Sequence, residues 1–379
     1  MAIILGIEST AHTFGIGVVR NGKILSNVRE MYSTESGGII PSESAKHHEK
    51  IAEEVFVKAL VKAGVTENKI DAIAFSQGPG LTPCLLVGLR KMKAWSVKLK
   101  IPVIPVNHCI AHLEIGRITG AKDPVLLYAS GANTQIIAYS SGKYRIFGET
   151  LDLGVGNFID TFARYMGLGF PGGPKVEQLA LQGMNYIELP YSVKGMDIAL
   201  SGILTNLRQK IEKMKKSENT THSHPPAQKL HSLKARDINI NDIEKNSVLI
   251  YNQKFRANEN ERVKYTKEDL CFSMQETVFP MLVEVSERAL AHIGKKELVL
   301  GGGVACNARL QEMCRIMCKE RGAKMYVPPN SLLTDNGSMI AYLGEIMFKS
   351  GIKHEGKEIE KLDIKPRERT DQVEVKWRN

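Results

Sequence analysis

The sequence predicts an α/β protein made of two similar halves, each with a strand-rich core and helices packed against it. Apolar, strand-like segments alternate with helix-like segments along most of the 379 residues. The order of strand, turn, strand and glycine hairpin at the N-terminus recurs after 120 residues, where Gly142-Lys143 falls on Gly22-Lys23. A repeat of this length indicates two related domains rather than a solenoid.

Composition restricts the class of protein. Hydrophobic residues make up 43% of the chain and charged residues 24%, which is typical of a soluble globular protein with sizeable cores. No apolar run approaches the ~18 residues of a membrane helix, and MAIILGIEST predicts a buried strand rather than a signal peptide. Six cysteines without a CxxC pair favour reduced thiols in a cytoplasmic protein. A net charge of +10 is compatible with a nucleic-acid partner without establishing one.

The first half begins with two apolar strands, IILGIEST and AHTFGIGVV, and a hairpin at Asn21-Gly22. A helix over about residues 42–63 follows, and then the apolar strand DAIAFSQ, which ends at Gly78-Pro79-Gly80. We expect a long helix from about 81 to 100. The strand PVIPVN then leads into HCIAHLEIGR, which fits a helix.

The second half restarts this pattern with the strand DPVLLYAS, followed by GANTQIIAYSSGKYRIFGE. The segment LVLGGGVACNARLQEM matches IAFSQGPGLTPCLLVGL as a second apolar strand that ends in glycines before a helix. Continuous apolar strands of this type are found in sheets covered on both faces. Ligands are therefore expected at the glycine turns of both halves.

Two segments depart from the repeat. Residues from about 214 to 263 are polar and basic, which favours a flexible insertion, although an arm that contacts nucleic acid is an alternative. The C-terminal segment from Thr370 to Trp377 alternates in the manner of an edge strand.

Glycine turns are the first candidate sites, because glycine lets backbone N–H groups approach a phosphate. No Walker A sequence is present, and no GxGxxG lies in a dinucleotide-binding context. A single glycine turn is weak evidence, because most such turns are only structural corners. Five of them leave nucleotide binding and a purely structural role equally open. The candidates are Gly15 and Gly17, Gly78 and Gly80, Gly131, Gly172-Gly173, and Gly301 to Gly303.

The spacing of His108 and His112 places both imidazoles on one face of a helix, where they could share a metal ion. Cys109 stands where the zincin sequence HExxH has its glutamate, so metalloprotease chemistry lacks a general base. Ordinary surface or core histidines are the alternative. A metal site would need a third ligand, a carboxylate or a phenolate, which periodicity does not choose.

Acidic residues beside the predicted turns are the third signal. Such acids either cap helices, as Asp335 in TDNGSMIA could, or orient a water, a metal or a ribose. The residues are Glu8, Asp160, Glu177, Asp197 and Asp335.

Taken together, the motifs resemble those of the universal tRNA threonylcarbamoyladenosine synthase family, in its archaeal and eukaryotic form. The resemblance covers nearly the whole chain outside 214–263. It rests on GIESTAHTFGIGVV, SQGPG, NHCIAHLEIGR, YASGANTQ, GFPGGPKVEQLA, DIALSG, GGGVACNARL and RTDQVEVKWR. It implies an actin/Hsp70/sugar-kinase fold, with two ribonuclease-H-like domains and a ligand cleft between them. The first domain would comprise 1–123, completed by about 335–379, and the second 124–334.

The resemblance also implies a site. The metal ligands would be His108, His112, Tyr128 and Asp335, and the metal most often Fe²⁺, with Zn²⁺ or Mn²⁺ as alternatives. The substrate and nucleotide positions would be Tyr128, Ala129, Ser130, Gly131, Ala132, Asp160, Gly173, Glu177 and Asn307. Departures from the family pattern include Ala132, which replaces a glycine at the phosphate turn, and Ser42, which replaces an arginine. If φ were positive at Ala132, its methyl group would matter.

The implied reaction transfers a threonylcarbamoyl group from threonylcarbamoyl-AMP to N6 of adenosine 37 in tRNAs that read ANN codons. The implied setting is the KEOPS complex, with a small kinase/ATPase, a dimerising subunit and a tRNA-binding accessory subunit. A kinase or ATPase of the same superfamily and a non-catalytic nucleotide-dependent scaffold are the rival functions. A basic helix could contact tRNA phosphates or be a solvated face; its cations are Arg90, Lys91, Lys93, Lys98 and Lys100.

Overall fold

A computed structural model of the protein describes residues 2–34, 38–221 and 266–378, and two five-stranded mixed sheets lie at its centre. The strands of the first sheet are β1 Ile3–Glu8, β2 Thr13–Arg20, β3 Lys23–Met31, β4 Ala72–Gly78 and β5 Val103–Asn107. Those of the second sheet are β6 Val125–Ala129, β7 Thr134–Ser140, β8 Lys143–Glu149, β11 Glu297–Gly301 and β12 Lys324–Tyr326. A short ribbon pairs β9 Val193–Lys194 with β10 Asp197–Ile198.

The two sheets have the same topology. The first has the order β3-β2-β1-β4-β5 and the second the equivalent order β8-β7-β6-β11-β12. In both, the three hairpin-linked strands are antiparallel and the last two are parallel. The hairpin turns also match, because Asn21-Gly22 and Ser141-Gly142 have positive φ at both residues. The repeat predicted from the 120-residue offset is therefore confirmed.

Helices cover the sheets on both faces. The helices of the first half are α1 Pro41–Ala63, α2 Thr82–Leu99 and α3 His108–Gly116. Those of the second half are α4 Val155–Tyr165, α5 Gly173–Ala180, α6 Ser201–Thr221, α7 Lys267–Ile293 and α8 Ala308–Glu320. The C-terminal part contains α9 Asn330–Leu333, α10 Gly337–Lys349 and α11 Lys357–Lys361. The predicted helix over 42–63 differs from α1 by one residue at its start, and the one over 81–100 differs from α2 by one residue at each end.

Close packing explains the glycines of the first sheet. A Cβ atom on Gly17 would lie 2.3 Å from the backbone nitrogen of Ser338, and one on Gly6 would lie 2.3 Å from that of Ala341. Both neighbours belong to α10, whose backbone rests directly on β1 and β2. Gly15 and Gly17 are therefore packing positions rather than a phosphate turn.

The larger compact unit comprises Met1–Arg208 and Lys267–Asn379, and both sheets belong to it. The predicted insertion at 214–263 is helical up to Thr221, where α6 ends, and the rest of it lies outside the described residues. Within the described ranges, no helix is both long and apolar enough to span a membrane.

The C-terminal segment does not form the predicted edge strand. Thr370–Gln372 is a turn of 3₁₀ helix, and residues 373–378 are not assigned to a strand. The reason lies in its side chains, because Trp377 and Arg378 pack on the tyrosines of the second sheet. Arg378 lies over the Tyr139 ring at 4.5 Å, and the Trp377 ring stacks 6.3 Å from that of Tyr144.

The basic face of α2 is largely paired within the chain. Arg90 and Lys91 contact Glu49 at 3.0 and 2.9 Å, and Lys98 contacts Glu67 at 2.7 Å. These pairs favour a solvated, salt-bridged face over a site for tRNA phosphates.

Candidate metal centre and cleft

Helix α3 presents the two predicted histidines side by side. It starts directly after β5, and the Asn107 side-chain oxygen caps it by accepting hydrogen bonds from the N–H groups of Cys109 and Ile110. His108 and His112 lie one turn apart, and their ring centroids are 4.8 Å from each other. Both are buried, with exposed fractions of 4% and 1%, so this face of α3 is not a solvated surface.

Asp335 joins the two histidines from a distant part of the chain. Its Oδ1 atom lies 3.3 Å from Nε2 of His112 and 3.4 Å from Nε2 of His108. One ligand atom from each of the three residues falls within 4.8 Å of the others, so the group could hold a metal ion. Asp335 is not the helix cap that the sequence suggested. Asn336 caps α10 by accepting from the N–H of Met339, which leaves the Asp335 carboxylate free for the histidines.

Two residues at equivalent strand ends contact opposite nitrogens of His108. Oε2 of Glu8, at the end of β1, lies 3.0 Å from Nδ1, and the Tyr128 hydroxyl, near the end of β6, lies 3.0 Å from Nε2. Glu8 and Tyr128 are themselves related by the 120-residue offset. The Glu8 carboxylate also accepts hydrogen bonds from the backbone and hydroxyl of Thr10. Because a buried carboxylate accepts its Nδ1–H, the His108 ring is held with Nε2 directed at Asp335.

The electrostatics of the group favour an ionised carboxylate beside the imidazoles. Burial alone would raise the pKa of Asp335. The neighbouring His108 and His112 lower it by more, so the pKa lies well below the ordinary range. For His112, burial is the main cause of a lowered pKa. Burial also lowers the pKa of His108, but Tyr128, Glu8 and Asp335 together raise it above its usual value. The pKa of the Tyr128 hydroxyl is raised, mainly by burial.

A cleft of about 1260 Å³ opens above this group. His108, Tyr128 and Asp335 lie on its wall, while His112 is behind them and does not line it. Most of the predicted substrate positions line the same cleft: Tyr128, Ser130, Gly131, Ala132, Asp160, Gly173, Glu177 and Asn307. Ala129 does not line it, because this residue is fully buried in β6.

The turn at residues 130–133 is fixed against the start of α4. The N–H groups of Gly156 and Asn157 donate to the carbonyls of Ser130 and Gly131. A Cβ atom on Gly156 would lie 2.7 Å from the Gly131 Cα, so only glycine allows this approach. Ala132 is not among the described non-glycine residues with positive φ, and its methyl group is therefore not strained.

Three further polar residues that line the cleft are tied to helix starts. Asp160 accepts a hydrogen bond from Gly172 N–H at 2.8 Å, and Glu177 accepts one from Ala308 N–H at 2.7 Å. Asn307 caps α8 through its side-chain oxygen. Asp197 lies elsewhere, where it accepts a hydrogen bond from the backbone of Glu149 and does not line the cleft.

Sequence reasoning missed the C-terminal wall of the cleft. Residues 366–370 line it. Pro366 accepts a hydrogen bond from Gly80 N–H, and Glu368 accepts one from the Asn107 side chain, which caps α3. A Cβ atom on Gly78 would overlap the Lys365 carbonyl, so the Gly78-Pro79-Gly80 turn serves to seat this segment. No sequence pattern connects residues so far apart.

The chain is similar to known proteins in both sequence and fold. The family profile for tRNA N6-adenosine threonylcarbamoyltransferase matches residues 23–342. A protein of that name from Thermococcus kodakarensis is 48% identical over 375 residues, covering 99% of each chain. The "Probable bifunctional tRNA threonylcarbamoyladenosine biosynthesis protein" of Methanosarcina mazei is 44% identical over 99% of this chain and 59% of its own length. Among solved structures, full-length HypF in its phosphate- and nucleotide-bound form superposes with a TM-score of 0.55 at 12% identity, over 91% of this chain and 46% of its own.

The paired sheets and the cleft between them define an α/β protein of the actin/Hsp70/sugar-kinase class, as predicted. The buried imidazole–carboxylate group adds a candidate metal centre to that fold. Within the class, the chain belongs to the tRNA N6-adenosine threonylcarbamoyltransferase family. The expected enzyme class, a transferase that acts in tRNA modification, is thereby confirmed.

Proposed function

We propose that this chain transfers the threonylcarbamoyl group of threonylcarbamoyl-AMP to N6 of adenosine 37 in tRNAs that read ANN codons, releasing AMP. The observation that carries the proposal is the convergence of His108, His112 and Asp335 on a large cleft in a chain of this family. The donor is a mixed anhydride with a good leaving group. The acceptor is a weakly nucleophilic exocyclic amine, so positioning and charge stabilisation are what the protein must supply.

The residues present fit a divalent cation. Two imidazole nitrogens and a carboxylate oxygen are donors that suit Fe²⁺, Zn²⁺ or Mn²⁺, and we propose Fe²⁺ with Tyr128 as a fourth ligand. The Glu8 carboxylate on Nδ1 of His108 supports this fit, because metal-binding histidines commonly donate their other ring N–H to a carboxylate. A bound cation would supply Lewis-acid polarisation of the carbamoyl group.

The rest of the cleft suits the two parts of the donor. Backbone N–H groups of Gly131 and Ala132 are proposed to hold the AMP phosphate, since the Ser130 N–H donates to the Asn133 carbonyl. Asp160 and Glu177 line the same cleft, and we propose that their carboxylates bind ribose hydroxyls and that Asn307, also on the wall, contacts the nucleoside. Gly173 supports this assignment, because a Cβ atom there would meet nothing within 4 Å and the space remains open to a ligand.

We further propose that the chain works in the cytoplasm as the catalytic subunit of the KEOPS complex, with a small kinase/ATPase, a dimerising subunit and a tRNA-binding accessory subunit. The bifunctional relative from Methanosarcina mazei supports a partner, because this chain corresponds to only 59% of that protein. The domains are proposed to be 1–123 with 335–379, and 124–334. In support, each range holds one of the two topologically equivalent sheets.

The test is a tRNA modification assay with the purified chain, partner subunits, threonylcarbamoyl-AMP and a tRNA with adenosine 37. Mass spectrometry of the nucleosides should detect threonylcarbamoyladenosine, and a matched tRNA with guanosine 37 should remain unmodified. Absence of the modified nucleoside, under conditions in which the Thermococcus kodakarensis relative makes it, would refute the proposal.

The two rival functions are separated by further measurements. A kinase or ATPase would hydrolyse ATP rapidly without partners, although the buried group contains one carboxylate beside two imidazoles, a poor set of ligands for Mg²⁺. If the chain is a non-catalytic scaffold, the double variant His108→Ala with His112→Ala should support tRNA modification at the wild-type rate. His292→Ala, at an exposed position at the end of α7, is the matched control.

A further inference from the structure

We propose that His12 is the general base that accepts the proton lost by the adenosine amine, an assignment that rests on the function proposed above. His12 lies in the turn between β1 and β2 and lines the same cleft as His108 and Asp335. Its side chain is partly exposed, and within the described residues no group hydrogen-bonds its ring nitrogens. Imidazole is the side chain most often used as a general base near neutral pH.

Hydrogen bonds from several elements hold the backbone of this turn. The Thr10 carbonyl accepts from Leu81 N–H at 2.7 Å, and the His12 carbonyl accepts from Tyr32 N–H at 2.8 Å. Between them, the Ala11 carbonyl accepts from the Ser44 hydroxyl at 2.9 Å and from His48 Nε2 at 3.0 Å. Three successive carbonyls are thus held by different elements. The His12 imidazole is consequently presented to the cleft on a rigid support.

Its ring is also positioned from the other half of the molecule. The Phe170 ring meets the His12 ring edge to face, with centroids 5.6 Å apart and planes at 87°. Phe170 precedes the Gly172-Gly173 turn, and Asp160 accepts the Gly172 N–H. Burial raises the pKa of the Asp160 carboxyl group, and the nearby His12 is one of the groups that oppose this shift, so the two side chains interact.

The other cleft-lining groups that could take a proton already have a protein partner or a role in the proposed binding of metal and ribose. His108, Tyr128 and Asp335 belong to the candidate metal centre. The remaining carboxylates accept hydrogen bonds or ion pairs from protein groups: Glu149 from Arg369, Glu177 from Ala308, Glu368 from Lys365 and Asn107, and Asp160 from Gly172. Burial raises the pKa of both lining thiols, Cys109 and Cys306. His12 is therefore the base that the described part of the cleft leaves available.

The transfer forms one bond and breaks another at the carbamoyl carbon. The adenosine N6 forms a bond to the carbamoyl carbon, and the bond from that carbon to the phosphate oxygen breaks. AMP leaves with the bonding electron pair, and the N6 proton passes to the unprotonated ring nitrogen of His12. Solvent then takes the proton and regenerates the imidazole.

The experiment compares His12→Ala and His12→Gln with the wild type in the reconstituted complex, under single-turnover conditions with saturating tRNA and donor. Both variants should transfer at least ~10²-fold more slowly, the low end for loss of a general base. Metal content and affinity for tRNA should be unchanged. Added imidazole should restore transfer in His12→Ala in a concentration-dependent manner, because the truncated side chain leaves room for it, but not in the bulkier His12→Gln. His47→Ala is the matched control, since His47 lies on α1 outside the cleft, and it should transfer at the wild-type rate with no response to imidazole.

Each result decides between the alternatives. Wild-type transfer in either His12 variant would overturn the assignment of His12 while the proposed function stands. Slow transfer that imidazole does not relieve, or that accompanies an equal loss of tRNA affinity, would also overturn it, because a binding or structural role would then explain the defect. An inactive wild-type complex would overturn the proposed function and the assignment of His12 with it.

Discussion

Acidification should destabilise the fold through His48. This side chain on α1 is fully buried, and its ring centroid lies 5.5 Å from that of Phe14. Its Nε2 lies 3.0 Å from the Ala11 carbonyl, which can only accept, so this nitrogen carries the proton of the neutral ring. Nδ1 is buried without a partner within the described residues. Protonation would therefore place an unpaired charge in the core.

Burial is the main cause that lowers the pKa of His48, from the model-peptide value of 6.5 to about 4. The unfolded chain therefore takes up a proton at a higher pH than the folded chain. The contribution of His48 to stability is intact above about pH 6.5, and it is lost as the pH falls toward the folded-state pKa. The full shift corresponds to about 3 kcal/mol, of which about 2.5 kcal/mol is lost by pH ~4.5.

The assay is urea unfolding, followed by circular dichroism, at about pH 7.5 and about pH 4.5, with a chelator in every sample. Between these conditions the wild type should lose about 2.5 kcal/mol more than His48→Gln, which cannot take up the proton. His292→Gln, at an exposed position, should behave as the wild type does. Equal pH dependence in the wild type and His48→Gln would show that the buried imidazole is not the cause.

Three other substitutions test the candidate metal centre and the packing of the sheet. His112→Ala should lower metal content, measured by elemental analysis, together with transfer, while thermal unfolding stays close to that of the wild type; full metal content would remove His112 from the centre. Glu8→Gln should weaken metal affinity by about 10–100-fold, measured by competition with a chelator, since it removes the carboxylate on His108; unchanged affinity would contradict this role. Gly17→Ala should lower the free energy of unfolding, measured with urea, by about 1–3 kcal/mol, because its Cβ would lie 2.3 Å from a helix backbone nitrogen. Gly202→Ala, in α6 with nothing within 4 Å, is its control, and a tolerated Gly17→Ala would refute the packing argument.

The local parts of the candidate site were predictable because their signals are short. The spacing of His108 and His112 fixes a shared helix face, and α3 has the geometry expected of it. Asp335 was named through family resemblance, while its own neighbourhood suggested a helix cap. The actual cap is Asn336, one residue further on, whose side chain accepts from the Met339 N–H.

Other contacts carried no sequence signal. Glu8 was one of several acids beside a turn, and only the fold places its carboxylate 3.0 Å from the His108 ring. The alternation from Thr370 to Trp377 favoured a strand, but tertiary packing prevailed, because the aromatic and guanidinium groups at its end find partners on the second sheet.

The sequence by itself determined the repeated α/β architecture, since apolar runs, hairpin turns and their 120-residue offset are properties of neighbouring residues. It also supplied the histidine pair and the family resemblance. Only the tertiary structure decided which glycines pack helices and which remain open to a ligand, because that depends on backbone approaches between distant elements. The same holds for the wall of the cleft, to which different elements contribute His12, His108 and Asp335, and for the contact of Glu8 with His108. Side chains brought together by chain folding over more than 300 residues leave no pattern in the local sequence.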